Sequence, residues 1–173
     1  TKRDFREQMN SFLENQGYDG ILPYHADTIF RQNVQTAYNV GHYQQMTDPD
    51  VMERRKYWQY QTAGDNEVRE EHRVMDGRVY AADDPIWDIW YPPNGFGCRC
   101  IVVSRTESWI KSHGITVENM IPTMINPKTR QAEGALPDKG FRTNPAKAKW
   151  TPDLVGFPEV LRKAWEERER KAR

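Results

Sequence analysis

With 173 residues, the chain is long enough for one well-buried domain and too short for two full ones. Lysine plus arginine equals aspartate plus glutamate at 25 each, so no net field draws it to nucleic acid or to an anionic membrane surface. No apolar run approaches the roughly 18 residues that a membrane helix needs, no start resembles a signal peptide, and two cysteines one residue apart are not a secreted disulfide framework. A protein with no membrane segment, in a reducing compartment, is expected. Thr1 stands where a Met would, so the expected chain is a processed form or a piece of a longer protein. Six Trp, eight Tyr and six Phe offset a hydrophobic fraction of only 37%, which predicts an aromatic-rich core built on few elements.

In chain order, residues 4–15 read as a short charged helix with Phe5, Met9 and Phe12 or Leu13 as a narrow apolar stripe, closed by Gly17 and Gly20. A longer helix is predicted over 26–46, capped by Asp27 or Thr28. Its stripe of Ile29, Phe30, Val34, Ala37 and Tyr38 has near-helical spacing. Gln32, Asn33, Gln35 and Thr36 fall mostly off that stripe, as a solvated or partner-facing side would. The run Thr47, Asp48, Pro49, Asp50 breaks the helix. Residues 56–62 then alternate with the period of a strand. A short strand over 78–81 leads into a loop rich in Asp, Pro and Gly that Trp87 and Trp90 pin to the core. Residues 98–104 end in a β-branched apolar run and are expected to pair with 56–62. A helix over 107–113 ends at Gly114, and a second short one is predicted over 117–120. Beyond Pro122, the residues Pro127, Gly134, Pro137, Gly140, Pro145 and Pro152 recur too closely for long elements, so hairpin, loop and extended arm are expected. The run 157–173 has a helix start at Pro158 and a charged end that frays or serves a partner.

The chemistry concentrates between Gly64 and Cys100. If residues 65–77 form a helix ended by Gly77, Asp65, Arg69, His72 and Asp76 follow at steps of four, three and four and share one face, within an arc of roughly 60°. Such a stripe is either a reactive site or a buried polar clasp. His72 with Cys98 and Cys100 offers ligands that zinc prefers, and Asp76 or Asp65 would add an oxygen. Against zinc, residues two apart in a regular strand stand about 6.5–7 Å apart, whereas two sulfurs on one tetrahedral zinc approach to about 3.8 Å. The strand would have to bend, which Gly97 permits. The clasp alternative makes both thiols small buried hydrophobes and has His72 bond a backbone carbonyl or Asp76. Arg69, with Asp65 or Glu70, then braces the Pro92–Pro93 loop. A third alternative is a metal-independent, nuclease-like toxin domain with His72 as general base and Arg69 or Lys56 on a developing phosphate charge. No Walker motif, GxSxG elbow or HExxH supports an enzyme. A binding module would present the aromatic loop, residues 87–96, to a protein partner.

Trp58, Thr62, Asp65, Arg69, His72, Asp76 and Gly77, then Tyr91-Pro92-Pro93-Asn94-Gly95 and Cys98-Arg99-Cys100, resemble the signature of the phage Mu protein F-like minor head proteins, the phage head morphogenesis domain. The likeness covers roughly 24–105, with a weaker echo at Gly140-Phe141-Arg142-Thr143-Asn144-Pro145. It implies a non-enzymatic virion component, assembled in the host cytoplasm and housed inside the head. The implied partners are the portal protein, other head proteins and packaged DNA, with a link to DNA packaging or ejection. The expected fold is α+β, a small antiparallel sheet covered by N-terminal helices with an extended C-terminal arm. Its divisions are a helical lead-in (1–50), a Mu F-like core (51–121), and a loop-rich arm with a C-terminal helix (122–173).

Overall fold

The computed structural model describes residues 1–126, 128–148, 154–156 and 158–171. Pro127, Pro152, Phe157 and Arg173, named above, lie outside the described residues. α1 (Lys2–Asn15) begins with a capping box: the Thr1 hydroxyl accepts from the Asp4 N–H, and the Asp4 carboxylate accepts from the Thr1 amine. α2 (Pro23–Met46) starts on a proline whose fixed φ suits a first turn. Asp27, expected as a cap, therefore lies a turn inside, where it pairs with Lys2 at 2.5 Å. The predicted break after α2 also starts a helix. Asp48 accepts from the Asp50 N–H and Pro49 leads α3 (Pro49–Arg54).

Next come β1 (Tyr57–Gln61), α4 (Glu70–Arg73), β2 (Val79–Ala81), α5 (Trp87–Trp90), β3 (Ile101–Arg105) and α6 (Glu107–Ser112). A hairpin of β4 (Thr123–Ile125) and β5 (Ala132–Gly134) precedes α7 (Glu159–Lys171). The architecture is α+β, with a three-stranded antiparallel sheet in the order β2-β1-β3. β1 pairs with β3 as expected, Trp58 opposite Ser104 and Tyr60 opposite Val102. The helix predicted over 117–120 does not form. β2 is an edge strand, and its open edge captures this segment instead: Val117 bridges Val79, and the Glu118 N–H donates to the Val79 carbonyl at 2.7 Å.

One face of the sheet carries the core. Trp58, Tyr60, Tyr80, Trp87, Trp90 and Tyr91 are all buried and meet mostly edge to face or tilted. Removing about 150–250 Å² per ring from water is worth roughly 4–6 kcal/mol each before entropy is subtracted, so a few rings support a small sheet. Most of their polar tips are satisfied by carbonyls from other segments. Trp87 Nε1 donates to Ala81, Trp90 Nε1 to Ala135, and the Tyr91 hydroxyl to Asn39. The arm is strapped across this core. Met124, Ala135 and Asn144 are buried, and Asn144 Nδ2 donates to the Trp87 carbonyl at 3.0 Å.

α2 packs with its polar side inward. Its buried residues are Ala26, Asn39 and Met46, while Val34 is 53% and Tyr38 54% exposed. The reason lies on β3, whose flank offers carbonyls that need donors: Gln35 Nε2 donates to Cys100 O at 3.1 Å and His42 Nε2 to Val102 O at 2.9 Å. At 100° per residue, the face carrying Gln35, Asn39 and His42 lies roughly 120° from the stripe of Phe30, Val34, Ala37 and Tyr38. Gln35 thus belongs to the sheet-facing side rather than to a solvated one. α1 covers part of the outward stripe, with Phe5 against Phe30 at 5.6 Å, and leaves Val34 and Tyr38 bare.

Candidate functional site

The single helical face expected over 65–77 does not exist. Only α4 is helical there, because the Asp65 side chain accepts the Glu67 N–H two residues on and holds a turn that competes with helix entry. Each residue of the expected stripe then finds a distant partner. Arg99 grips Asp65 with two hydrogen bonds, at 2.6 and 2.8 Å, and also reaches Glu67 at 3.1 Å. That grip holds the Asp65 carboxyl below its ordinary range. Arg69 donates to the Phe96 carbonyl at 2.6 Å and pairs with Asp138 at 3.7 Å. Asp76 is exposed and accepts the Thr62 N–H at 2.7 Å. Glu70 pairs with Arg73, so neither Asp65 nor Glu70 assists Arg69. Arg69 does brace the loop after Pro92–Pro93, with Asp138 as its acidic partner.

Gly95 is where this brace passes closest to the backbone. A Cβ there would stand 2.3 Å from Asp138 Oδ2 and 3.0 Å from Arg69 Nη1, so a larger residue forces the pair apart. Asp138 is further tied in by its N–H, which donates to the Asn94 carbonyl at 3.0 Å. Arg99 stands in the sequence signature without an assigned partner, and Asp138 has no place in it. Arg99 had a signal: when two thiols flanking a residue both face inward, the residue between them faces out.

His72, Cys98 and Cys100 do come together. All three are buried, and their ligand atoms lie within 4.8 Å of one another. His72 Nδ1 stands 3.5 Å from Cys100 Sγ and 3.9 Å from Cys98 Sγ, while Nε2 is buried without a hydrogen-bond partner. His72 therefore bonds neither a backbone carbonyl nor Asp76. β3 starts only at Ile101, so the cysteines sit in irregular backbone after Gly97, whose φ is +68°. The strand spacing that argued against shared coordination does not apply. Cys98 is pushed down in pKa, first by a hydrogen bond from the Cys100 thiol and then by His72 and the backbone N–H groups of Asn94 and Cys100. Cys100 is pushed up, since its proton is held on Cys98 and burial penalises a second thiolate. Asp76 is not part of the cluster; among the described residues only these three side chains form such a group.

A sequence profile of the family described as "Phage Mu protein F like protein" matches residues 6–103, more than half of the chain. The chain belongs to this family. The match begins ahead of the likeness over 24–105 and takes in most of α1. The Mu-like prophage FluMu F protein of Haemophilus influenzae is 41% identical over 93 residues, which are 53% of this chain and 22% of that protein. The putative capsid assembly protein F of Escherichia phage Mu is 32% identical over 136 residues, 73% of this chain and 30% of that protein. The chain thus spans less than a third of either relative. No solved structure matches.

Within this Mu F-like chain, the residues of the signature pair off across two segments. Thr62 meets Asp76, Asp65 meets Arg99, Arg69 closes over Gly95 to Phe96, and His72 meets Cys98 and Cys100. Trp58 and Tyr91 lie beneath them in the core. The weaker echo docks on the same loop, with Phe141 edge-on to Phe96 at 4.9 Å and Asn144 on Trp87. This arrangement braces one loop against another. It gives little room for a substrate: His72 is 2% exposed, and the opening beside it has a volume of about 20 Å³. The rings of the aromatic loop complete the core, and Phe96 is the large apolar residue it leaves exposed.

Proposed function

We propose that this chain acts in phage head assembly at the portal, as a structural component of the virion rather than an enzyme. The observation that carries the reading is the alignment of 73% of the chain with a relative named as a putative capsid assembly protein. The paired residues between 62 and 100 support a bracing role, since their charged groups are spent on one another. The outward stripe of α2, with Val34 and Tyr38 exposed, is the surface offered to the portal protein. Among the described residues, no helix is long and apolar enough to cross a membrane. Contact with packaged DNA, and with it a part in packaging or ejection, follows from a place at the portal and not from net charge, which is zero.

Light scattering of the chain mixed with the portal protein of the same phage or prophage tests this. A stable complex that Tyr38→Glu disrupts is expected. Absence of any complex at high micromolar concentration overturns the portal assignment. A complex indifferent to Tyr38→Glu moves the contact elsewhere on the chain.

A further inference from the structure

We propose that His72, Cys98 and Cys100 bind one zinc ion, with a water completing the tetrahedron. The inference stands apart from the portal reading.

Distances carry it. With Zn–N near 2.05 Å and Zn–S near 2.3 Å, a tetrahedral site has N···S edges of about 3.6 Å and an S···S edge of about 3.8 Å. His72 Nδ1 stands 3.5 and 3.9 Å from the two sulfurs, and no ligand atom of the three is more than 4.8 Å from another. Two thiols and an imidazole are also the donor set that favours zinc over harder cations.

The fourth position is open and small. Ala63, Glu67, Arg69 and Arg99 line the opening of about 20 Å³ beside the cluster, which has room for one water and not for a further side chain. Each nearby carboxylate is engaged: Asp76 with Thr62, Asp65 and Glu67 with Arg99. None is left to close the site.

The surrounding fold presents the ligands ready-made. Gly97 turns the chain ahead of Cys98. Arg99, held outward by Asp65 and Glu67, leaves its two neighbours facing His72. The ion would join α4 to the entry of β3, its first two ligands His72 and Cys98 standing 26 positions apart in sequence, beside the Arg69–Gly95 brace. Its role is that of a structural clip.

The test uses the full 173-residue chain, purified under reducing conditions without chelator, loaded with zinc and desalted, and separately loaded with cobalt(II). One zinc per chain by elemental analysis is expected, with the intense visible bands of tetrahedral cobalt and a near-ultraviolet thiolate-to-cobalt charge-transfer band. In Cys98→Ser and Cys100→Ser the charge-transfer band falls and zinc is lost, while circular dichroism checks that each variant is folded. Wild-type chain that keeps no zinc, or a weak octahedral cobalt spectrum without charge transfer, overturns the proposal even if both variants fail to fold. Folded variants that keep the full metal content overturn it as well.

Discussion

The sheet half of this molecule buries most of its large rings, whereas the helical half sends Tyr43 and Met46 into the same core and leaves Val34 and Tyr38 outside. From β1 onward, Trp58, Tyr60, Trp87, Trp90 and Tyr91 are buried against one another, and segments as distant as Ala135 and Asn144 return to satisfy their polar groups. α1 has no buried residue, and α2 turns Val34 and Tyr38 to the outside while its amide and imidazole side chains serve the sheet. Apolar area that is not spent on the fold is available to a partner. Under the proposed function, the sheet half holds most of the stability and the outward stripe of α2 carries the contact.

The strongest way to break this comparison is in the core. Trp90→Ala should cost about 3–5 kcal/mol, from lost burial, the cavity left behind and an unpartnered Ala135 carbonyl. Denaturant unfolding checks it, and a loss below 1 kcal/mol would mean that the core is not where stability resides. Gly95→Ala comes next, at about 1–3 kcal/mol, because the new methyl forces apart Arg69 and Asp138. Pairing it with Arg69→Ala in a double-mutant cycle should give strongly non-additive losses.

On the helical side, Tyr38→Ser should change stability by no more than about 0.5 kcal/mol, since a half-exposed ring stacked only loosely on His42 adds little burial. A thermal melt well below wild type would show that the outward stripe is part of the fold. The smallest effect belongs to the Lys2–Asp27 pair. Lys2 holds the Asp27 carboxyl below its ordinary pKa, so the pair's contribution is present above about pH 4 and is lost as pH falls through the lower, folded-state value. α1 amides should exchange faster below that point, and Lys2→Ala should remove the dependence.

Much of the fold is legible in the chain. Alternation over 56–62 and the β-branched run after Cys100 locate β1 and β3 and their antiparallel pairing, and the family signature follows from the same residues. What fails is whatever depends on a distant partner. Periodicity finds the stripe on α2 but not its direction, which is set by the Cys100 and Val102 carbonyls that Gln35 and His42 must satisfy. Spacing puts Asp65, Arg69, His72 and Asp76 on one face only if the segment is helical throughout, and the Asp65 turn together with Arg99, Phe96 and Asp138 pulls them apart. Likewise, the objection to Cys98 and Cys100 sharing one ligand depends on a regular strand. Gly97 and the late start of β3 remove that premise.

Hydrogen–deuterium exchange of the chain, alone and mixed with the portal protein, tests the central claim most directly. The expected result is slow exchange in β1 and β3 in both samples, with protection gained on α2 between 28 and 46 only when the portal protein is present. Protection gained in the sheet half with α2 unchanged, or no change anywhere, would contradict it.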